Sequence, residues 1–164
     1  MKAGSDVSFA TGNGQTPECD AKMLKGITQK LLVRISCTLR QIQHGSYSKS
    51  RVPINLQSTH TKMAATSEFQ KPLSWSSPAF TLEPYNLIFL PSGHEKSVQQ
   101  LIDSPIIHKL LAEYFPATIK PSKKTIAAVC HRVMVLSETK IDGKSVIHEC
   151  TTTALPARFE ESGF

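Results

Sequence analysis

Two short apolar runs, LIFL at residues 87–90 and TIAAV at residues 125–129, set the strongest limit on how this chain can fold. Uninterrupted apolar runs of about four to eight residues are typical of strands covered on both faces of a sheet. Between the runs, apolar residues recur at helical spacing over residues 106–114. A strand, a helix and a second strand in this order favour a right-handed crossover and parallel pairing. The sequence therefore predicts an α/β domain with a mainly parallel sheet.

The central helix carries a recognisable start signal and one apolar face. Ser104 can act as the N-cap, and Pro105 suits the first helical position because it has no backbone N–H to satisfy. The apolar residues that follow are expected to line one buried face: Ile106, Ile107, Leu110, Leu111 and Tyr114. Shorter helices are predicted at residues 98–102 and 133–137.

The other ordered segments lie towards the two ends of the chain. Residues 6–11 (DVSFAT) alternate and are rich in strand formers, so they predict a strand. Asp20 can cap a helix whose apolar residues recur at intervals of three and four: Met23, Leu24, Ile27, Leu31, Ile35, Leu39 and Ile42. After a turn at residues 142–143 (DG), residues 146–152 predict a strand and residues 156–161 a helix.

A polar stretch separates these ordered parts. From residue 44 the chain is rich in Ser, Thr, Gln, Lys and Pro and shows no sustained period. Such a long structureless stretch is unusual inside a compact domain, so disorder is predicted for most of residues 44–66. The expected organisation is an N-terminal strand and helix at 1–43, a disordered insertion at 44–68, and the nucleophile-bearing part of the same domain at 69–164.

Length and hydropathy narrow the class of protein. The 164 residues suffice for one domain of ordinary size, which buries enough surface to need no metal or disulfide staple. Every apolar run is far shorter than the roughly 20 residues that span a bilayer. Lys2 is not followed by the apolar core of a secretory signal. A cytoplasmic protein without a membrane partner is therefore expected.

Charge and cysteine spacing exclude two further classes. The formal net charge of +6 suggests nucleic-acid binding, but the basic residues are scattered and no stacking aromatics accompany them, so nucleic acid is not an expected partner. The four cysteines contain no C-x-x-C pair, which argues against a zinc site and a disulfide framework. His94 and His131 without a third ligand rarely make a metal site, and no cofactor is expected.

Cys130 stands where the second apolar run gives way to a helix. At a sharp strand-to-helix turn, the side chain is exposed at the carboxyl edge of the sheet, where ligands of such sheets bind. The positive end of the helix dipole favours a thiolate and lowers the pKa of such a thiol. His131 follows directly and could move a substrate proton, provided that an acid orients it.

A second turn is expected at the same edge. Ser92-Gly93-His94 could supply another backbone N–H to an oxyanion hole, and Gly93 would let the backbone approach a reacting group closely. A simpler interpretation of Cys130 stays open. A free cysteine at a strand end is often only a small buried hydrophobic residue.

Three stretches carry a resemblance to a known family: FLPSGHEKSVQQLIDSPIIHKLL, KTIAAVCHRVMVLSE and CTTTALPARFEE. They resemble the ThiJ/PfpI family of the class I glutamine amidotransferase-like superfamily, and more narrowly its fungal glyoxalase III-like heat-shock proteins. The N-terminal DVSFATGNGQTPECDAKMLKGITQKLL is similar to the second strand of that group and the segment after it. The resemblance implies a flavodoxin-like three-layer sandwich.

The resemblance also implies roles for individual residues. Cys130 would be the nucleophile, with His131 beside it, and Gly93 and His131 would donate backbone N–H groups to the oxyanion. Glu160, to which the resemblance assigns no role, is an acid that could orient His131, although an acid on a terminal helix is more often only solvated. Members of the group act on methylglyoxal or related adducts, as proteases or as stress-response chaperones, and homodimers are common among them. A small carbonyl substrate and a second copy of the chain are therefore the expected partners.

The chain departs from the family pattern at four places. Arg132 stands where the family's turn reads Cys-His-Gly, and an Arg there is expected either to swing out to solvent or to open the turn. Ser92 replaces the first Gly of a Gly-Gly-His turn. The family's first strand with its acidic residue, and the chain beyond the LPARFEE helix, have no counterpart. The sandwich is therefore expected to be incomplete.

Two kinds of function follow from these observations. The first is a cysteine-dependent enzyme of the glyoxalase III or deglycase type, with impaired activity, that forms a hemithioacetal at Cys130. The second is a non-catalytic, stress-response or chaperone-like member of the same fold, or a non-functional fragment. The Cys-His pair and Gly93 favour the first function, whereas Arg132 and the missing acid favour the second.

Overall fold

A computed structural model describes residues 6–18, 56–91 and 99–152 of the chain. The chain divides into two compact units, Met1–Ser77 and Pro78–Phe164. Within the described residues, no helix is long and apolar enough to cross a bilayer. The helices that the sequence predicts at residues 20–42 and 156–161 lie outside the described part.

The first unit is described as a pair of short parallel strands and two helices. Its elements in chain order are β1 (Ala10–Thr11), α1 (Leu56–Ala64), α2 (Ser67–Gln70) and β2 (Leu73–Ser74). β1 pairs with β2 in parallel, so it forms the end of the strand predicted at residues 6–11. Phe69 is buried on α2, and its ring meets that of Phe9 edge-on with centroids 5.3 Å apart.

Helix α1 lies inside the stretch for which the sequence predicts disorder. The structure corrects that prediction for Leu56–Ala64, while residues 44–55 lie outside the described part. α1 lacks the apolar stripe that periodicity analysis detects, since its sequence is LQSTHTKMA. α1 instead makes a tertiary contact with α2. The ring of His60 lies edge-on to that of Phe69, with the ring centroids 6.4 Å apart.

The second unit contains both apolar runs. Its elements in chain order are β3 (Leu87–Leu90), α3 (Gln99–Ile102), α4 (Pro105–Tyr114), a 3₁₀ helix (Phe115–Thr118), β4 (Thr125–Ala128), a 3₁₀ turn (Cys130–Arg132), α5 (Val133–Glu138), β5 (Lys140–Ile141) and β6 (Lys144–Ser145). β3 and β4 pair in parallel, from Leu87 opposite Thr125 to Leu90 opposite Ala128. The α/β class and the parallel pairing are confirmed, and both are consistent with a flavodoxin-like sandwich.

Helix α4 begins as its capping residues predict. The Oγ of Ser104 accepts a hydrogen bond from the backbone N–H of Ile107 at 3.3 Å, and Pro105 is the first helical residue. Four of the five residues expected on its inner face are buried: Ile107, Leu110, Leu111 and Tyr114. Ile106 is 42% exposed, so its predicted burial is wrong. Adjacent helical residues point about 100° apart, and Ile106 therefore lies beside the buried stripe.

Strand β3 has one covered face and one open face. Leu90 is buried, whereas Leu87 and Phe89 are 55% and 58% exposed. Side chains alternate along a strand, so Leu87 and Phe89 share the open face. The expectation of a strand covered on both faces is therefore wrong for β3.

After α5 the chain forms a β-hairpin, which ends just before the segment for which the sequence predicts a strand. β5 and β6 pair antiparallel around Asp142 and Gly143, whose φ angles of 51° and 78° suit a two-residue hairpin turn. The turn at residues 142–143 is confirmed. The strand predicted at residues 146–152 is wrong, because local bonds such as His148 N–H to Ser145 O at 3.0 Å close successive turns there.

A buried hydroxyl ties α4 to the end of α5. Thr139 is fully buried, and its Oγ lies 2.9 Å from Nδ1 of His108 and 2.7 Å from the carbonyl oxygen of Val135. The Nε2 of His108 lies 2.6 Å from the carbonyl oxygen of Ile102 at the end of α3. His108 is thus half-buried and bonded at both ring nitrogens.

Replacing Thr139 by Val is expected to lower the free energy of unfolding by about 1–3 kcal/mol. The shape of the side chain is kept, but His108 Nδ1 loses its partner in a half-buried position. Urea denaturation followed by circular dichroism measures the change. Ser137→Ala is the matched control, because its hydroxyl only bonds back to Met134 O within α5 and its loss should cost less than about 0.5 kcal/mol. Equal stabilities of the two variants would contradict the structural role of Thr139.

Candidate active site

Cys130 lies in a sharp turn directly after β4. Val129 is still extended, with φ −120° and ψ 136°. Cys130 then adopts a φ of 57°, and Arg132 is helical with φ −67° and ψ −16°. The backbone N–H of Arg132 closes the turn on Val129 O at 3.3 Å. The strand-to-helix turn that the sequence predicts at Cys130 is therefore present.

The left-handed backbone of Cys130 is unusual for a residue with a side chain. A non-glycine residue in such a conformation costs about 1–3 kcal/mol and persists only where its surroundings hold it. Glycine would adopt this φ without that cost. Among the described residues, Asp142 in the hairpin turn is the other non-glycine residue with a positive φ. At a sharp strand-to-helix turn, a strained backbone of this kind leaves the side chain of the turn residue exposed at the edge of the sheet.

The Cys130 thiol is exposed and lies beside the imidazole of its neighbour. Its Sγ is 3.3 Å from Nδ1 of His131. With neutral His131 carrying its proton on Nε2, the thiol donates to Nδ1; with a thiolate, the Nδ1–H donates to sulfur. The pair can therefore transfer the thiol proton to the ring. The exposure of Cys130 does not support the interpretation of a small buried packing residue.

Arg132 takes neither of the positions expected for it. The residue is only 8% exposed, and its Nε–H donates to the carbonyl oxygen of Pro91 at 2.9 Å. The turn stays closed while the guanidinium lies inside. Burial lowers the pKa of Arg132 from its ordinary value, because it disfavours the charged form. The expectation that Arg132 swings out or opens the turn is wrong.

The ends of the two parallel strands bring Cys130 and Pro91 to one edge of the sheet. The last backbone bond of this ladder joins the N–H of Val129 to Leu90 O at 3.2 Å. Gly93, His94 and the turn that they were expected to form lie outside the described residues, as does Glu160. The oxyanion donors and the orienting acid therefore stay predictions.

The described residues contain a second exposed thiol but no metal-binding cluster. Cys150 is a free, exposed thiol in the turn after β6, at the far end of the hairpin segment in sequence. No group of three or more His, Cys, Asp or Glu side chains that could hold a metal ion occurs within residues 6–18, 56–91 and 99–152. Helix α5 has six residues, so its dipole adds little to the stabilisation of a thiolate at Cys130. Among the described residues, His131 is the neighbour that can activate the thiol.

Sequence analysis missed one feature of the site, the inward Arg132 side chain. A single Arg after a Cys-His pair carries no pattern that indicates whether its guanidinium points in or out. The carbonyl that it meets belongs to Pro91, 41 positions earlier in the chain. Only the parallel pairing of β3 with β4 brings the two together.

Comparison with known proteins extends these observations. Residues 1–164 match the model of a family described as ThiJ/PfpI family-like. The chain is also 27% identical over 128 residues to an uncharacterized protein of Schizosaccharomyces pombe. That alignment covers 78% of this chain but 41% of the relative, so the chain spans about two fifths of the relative's length. No solved structure matches the chain. Together with the α/β fold and the Cys130 turn, the match over residues 1–164 shows that the chain belongs to the ThiJ/PfpI-like family.

Proposed function

We propose that the chain is a cysteine-dependent enzyme that acts on small reactive carbonyl compounds, with methylglyoxal as the model substrate. The observation that carries the proposal is the strained, exposed Cys130 with its Sγ 3.3 Å from Nδ1 of His131. A nucleophile within reach of its base is the arrangement that covalent catalysis requires. Family membership supports a cysteine-based site, and the choice of carbonyl substrates rests on the resemblance to glyoxalase III-like proteins.

The first chemical step is the addition of the thiol to an aldehyde. Nδ1 of His131 takes the thiol proton, and the Cys130 sulfur forms a bond to the aldehyde carbon. The electron pair of the C=O π bond moves to oxygen, and the resulting oxyanion takes the proton back from His131. The product is a hemithioacetal, and no atom or electron is lost. In the proposal, the backbone N–H groups of Gly93 and His131 stabilise the oxyanion, and Glu160 orients the His131 ring.

The setting of the enzyme is part of the same proposal. The partners are a small carbonyl substrate and a second copy of the chain, and the compartment is the cytoplasm. A stress-response role would follow from the removal of reactive carbonyls. These features rest on the resemblance to the fungal glyoxalase III-like proteins.

A second candidate function is a non-catalytic, chaperone-like member of the family. The observation that favours it is the open face of β3, where Leu87 and Phe89 are more than half exposed. Adjacent apolar side chains on an open face are suited to binding exposed hydrophobic segments of other proteins. This function does not require a reactive Cys130.

Iodoacetamide is expected to alkylate Cys130 faster than Cys150, by roughly fivefold at pH 7, and methylglyoxal is expected to slow only the reaction of Cys130. The physical reason is that His131 favours the thiolate, which is the reacting form, so the apparent pKa of Cys130 should lie below the unperturbed value of about 8.5. Mass spectrometry of the peptides gives both rates as a function of pH. Cys150, also exposed, is the internal reference. Equal rates without protection by methylglyoxal would contradict the proposed function.

A further inference from the structure

The buried side chain of Arg132 connects the two strand ends that meet at the candidate site. Arg132 directly precedes α5, and Pro91 directly follows β3. The Nε–H of Arg132 donates to Pro91 O at 2.9 Å, while 92% of the residue is shielded from solvent. Its backbone N–H simultaneously closes the Cys130 turn on Val129 O. One residue therefore holds both the turn and the end of the neighbouring strand.

Burying the charged side chain of Arg132 costs free energy, so favourable contacts must offset that cost. Removing a guanidinium from water is unfavourable unless hydrogen bonds replace those to water. An arginine at the start of a short helix could reach solvent at little cost, because its stem is long and flexible. The side chain instead meets a carbonyl 41 residues away in sequence. This bond between the strand ends is therefore one of the contacts that offset the burial of Arg132.

The contact lies where the backbone ladder stops. The bond from Val129 N–H to Leu90 O is the last ladder bond between β3 and β4 within the described residues. Pro91 has no N–H and cannot donate a further one. Beyond this point the Arg132 side chain bonds to the carbonyl of Pro91, while the strained Cys130 lies between Val129 and Arg132.

We propose that Arg132 is a positioning residue, whose bond to Pro91 O fixes the Cys130 turn against the end of β3 and so keeps the thiol beside His131. The residue acts through Cys130 and His131 and does not itself touch the substrate. The inference rests on the proposed function only in treating Cys130 as the nucleophile. It needs no assumption about which carbonyl compound reacts.

The test compares the full-length chain with Arg132→Met and Arg132→Lys. Met has a similar length but no donor, so the alkylation rate of Cys130 at pH 7 should fall by about three- to tenfold, and its apparent pKa should rise by about 0.5–1 unit. Lys can still donate to Pro91 O, so Arg132→Lys should restore the rate to within about threefold of the wild type. Cys150 should react at an unchanged rate in every variant. Lys109→Met is the control for loss of a cation, because the Lys109 side chain is 77% exposed.

The outcomes separate this inference from the proposed function. A lower melting temperature for Arg132→Met with an unchanged rate and pH profile of Cys130 would show a merely structural role and overturn the inference. Equal losses in the Met and Lys variants would also overturn it, because the donor would then not be the cause. If Arg132→Met does not fold, Arg132→Leu, which also lacks a donor, replaces it, with the same expected loss. A wild-type Cys130 that reacts no faster than Cys150 contradicts the proposed function and leaves no activated thiol to position.

Discussion

Cys130→Ser is expected to lower the rate of methylglyoxal consumption by at least about 100-fold. A serine hydroxyl is far less ionised than a thiol at neutral pH and is the weaker nucleophile beside the same base. Its oxygen would still occupy the strained turn next to His131, so the fold should not change. Loss of the rate in this variant would therefore report loss of the nucleophile. Consumption is measured as the decrease in free aldehyde over time with purified full-length chain.

The matched control for this prediction is Cys150→Ser. Cys150 is likewise an exposed thiol, but its own φ is not positive, and its substitution should leave the rate within about twofold of the wild type. Equal consumption by the wild type and Cys130→Ser would rule out the enzymatic function. The open face formed by Leu87 and Phe89 would then make binding of hydrophobic segments the better proposal.

Sequence patterns were sufficient wherever a local signal determines the structure. β3 matches the apolar run at Leu87–Leu90 to the residue, and α4 begins at Pro105 with Ser104 as its cap. The Cys130 turn was predictable for the same reason, since an apolar strand and a helical segment leave only a few residues for the change of direction. In each of these cases the determining residues are neighbours in the sequence.

The predictions that were wrong concern features that depend on residues far apart in the sequence. The inward Arg132 needs the carbonyl of Pro91, which directly follows another strand. The exposure of Phe89 depends on what covers the sheet, which an apolar run cannot specify. The site was thus predictable as a turn with a Cys-His pair, whereas the contacts around that turn were not.

Leu111→Ala is expected to destabilise the second unit by about 2–5 kcal/mol. Leu111 is 1% exposed in the middle of α4, and Val135 on α5 is fully buried in the same unit. Truncating such a side chain removes its burial energy and leaves a cavity that the neighbours fill only in part. Because a small domain is stable by only about 5–15 kcal/mol, this loss is a large fraction of the total. Urea denaturation followed by circular dichroism at the helical band gives the change.

The control for Leu111→Ala is Ile119→Ala, which also removes part of an aliphatic side chain. Ile119 is 71% exposed in the loop before β4, so its truncation leaves no cavity and should cost less than about 0.5 kcal/mol. The comparison also bears on the candidate site, because α4 links β3 to β4 in the chain and β4 leads into the Cys130 turn. If the two variants lose the same small amount of stability, α4 is not packed in a cooperative core. The strained φ of Cys130 would then lack the rigid surroundings that hold it.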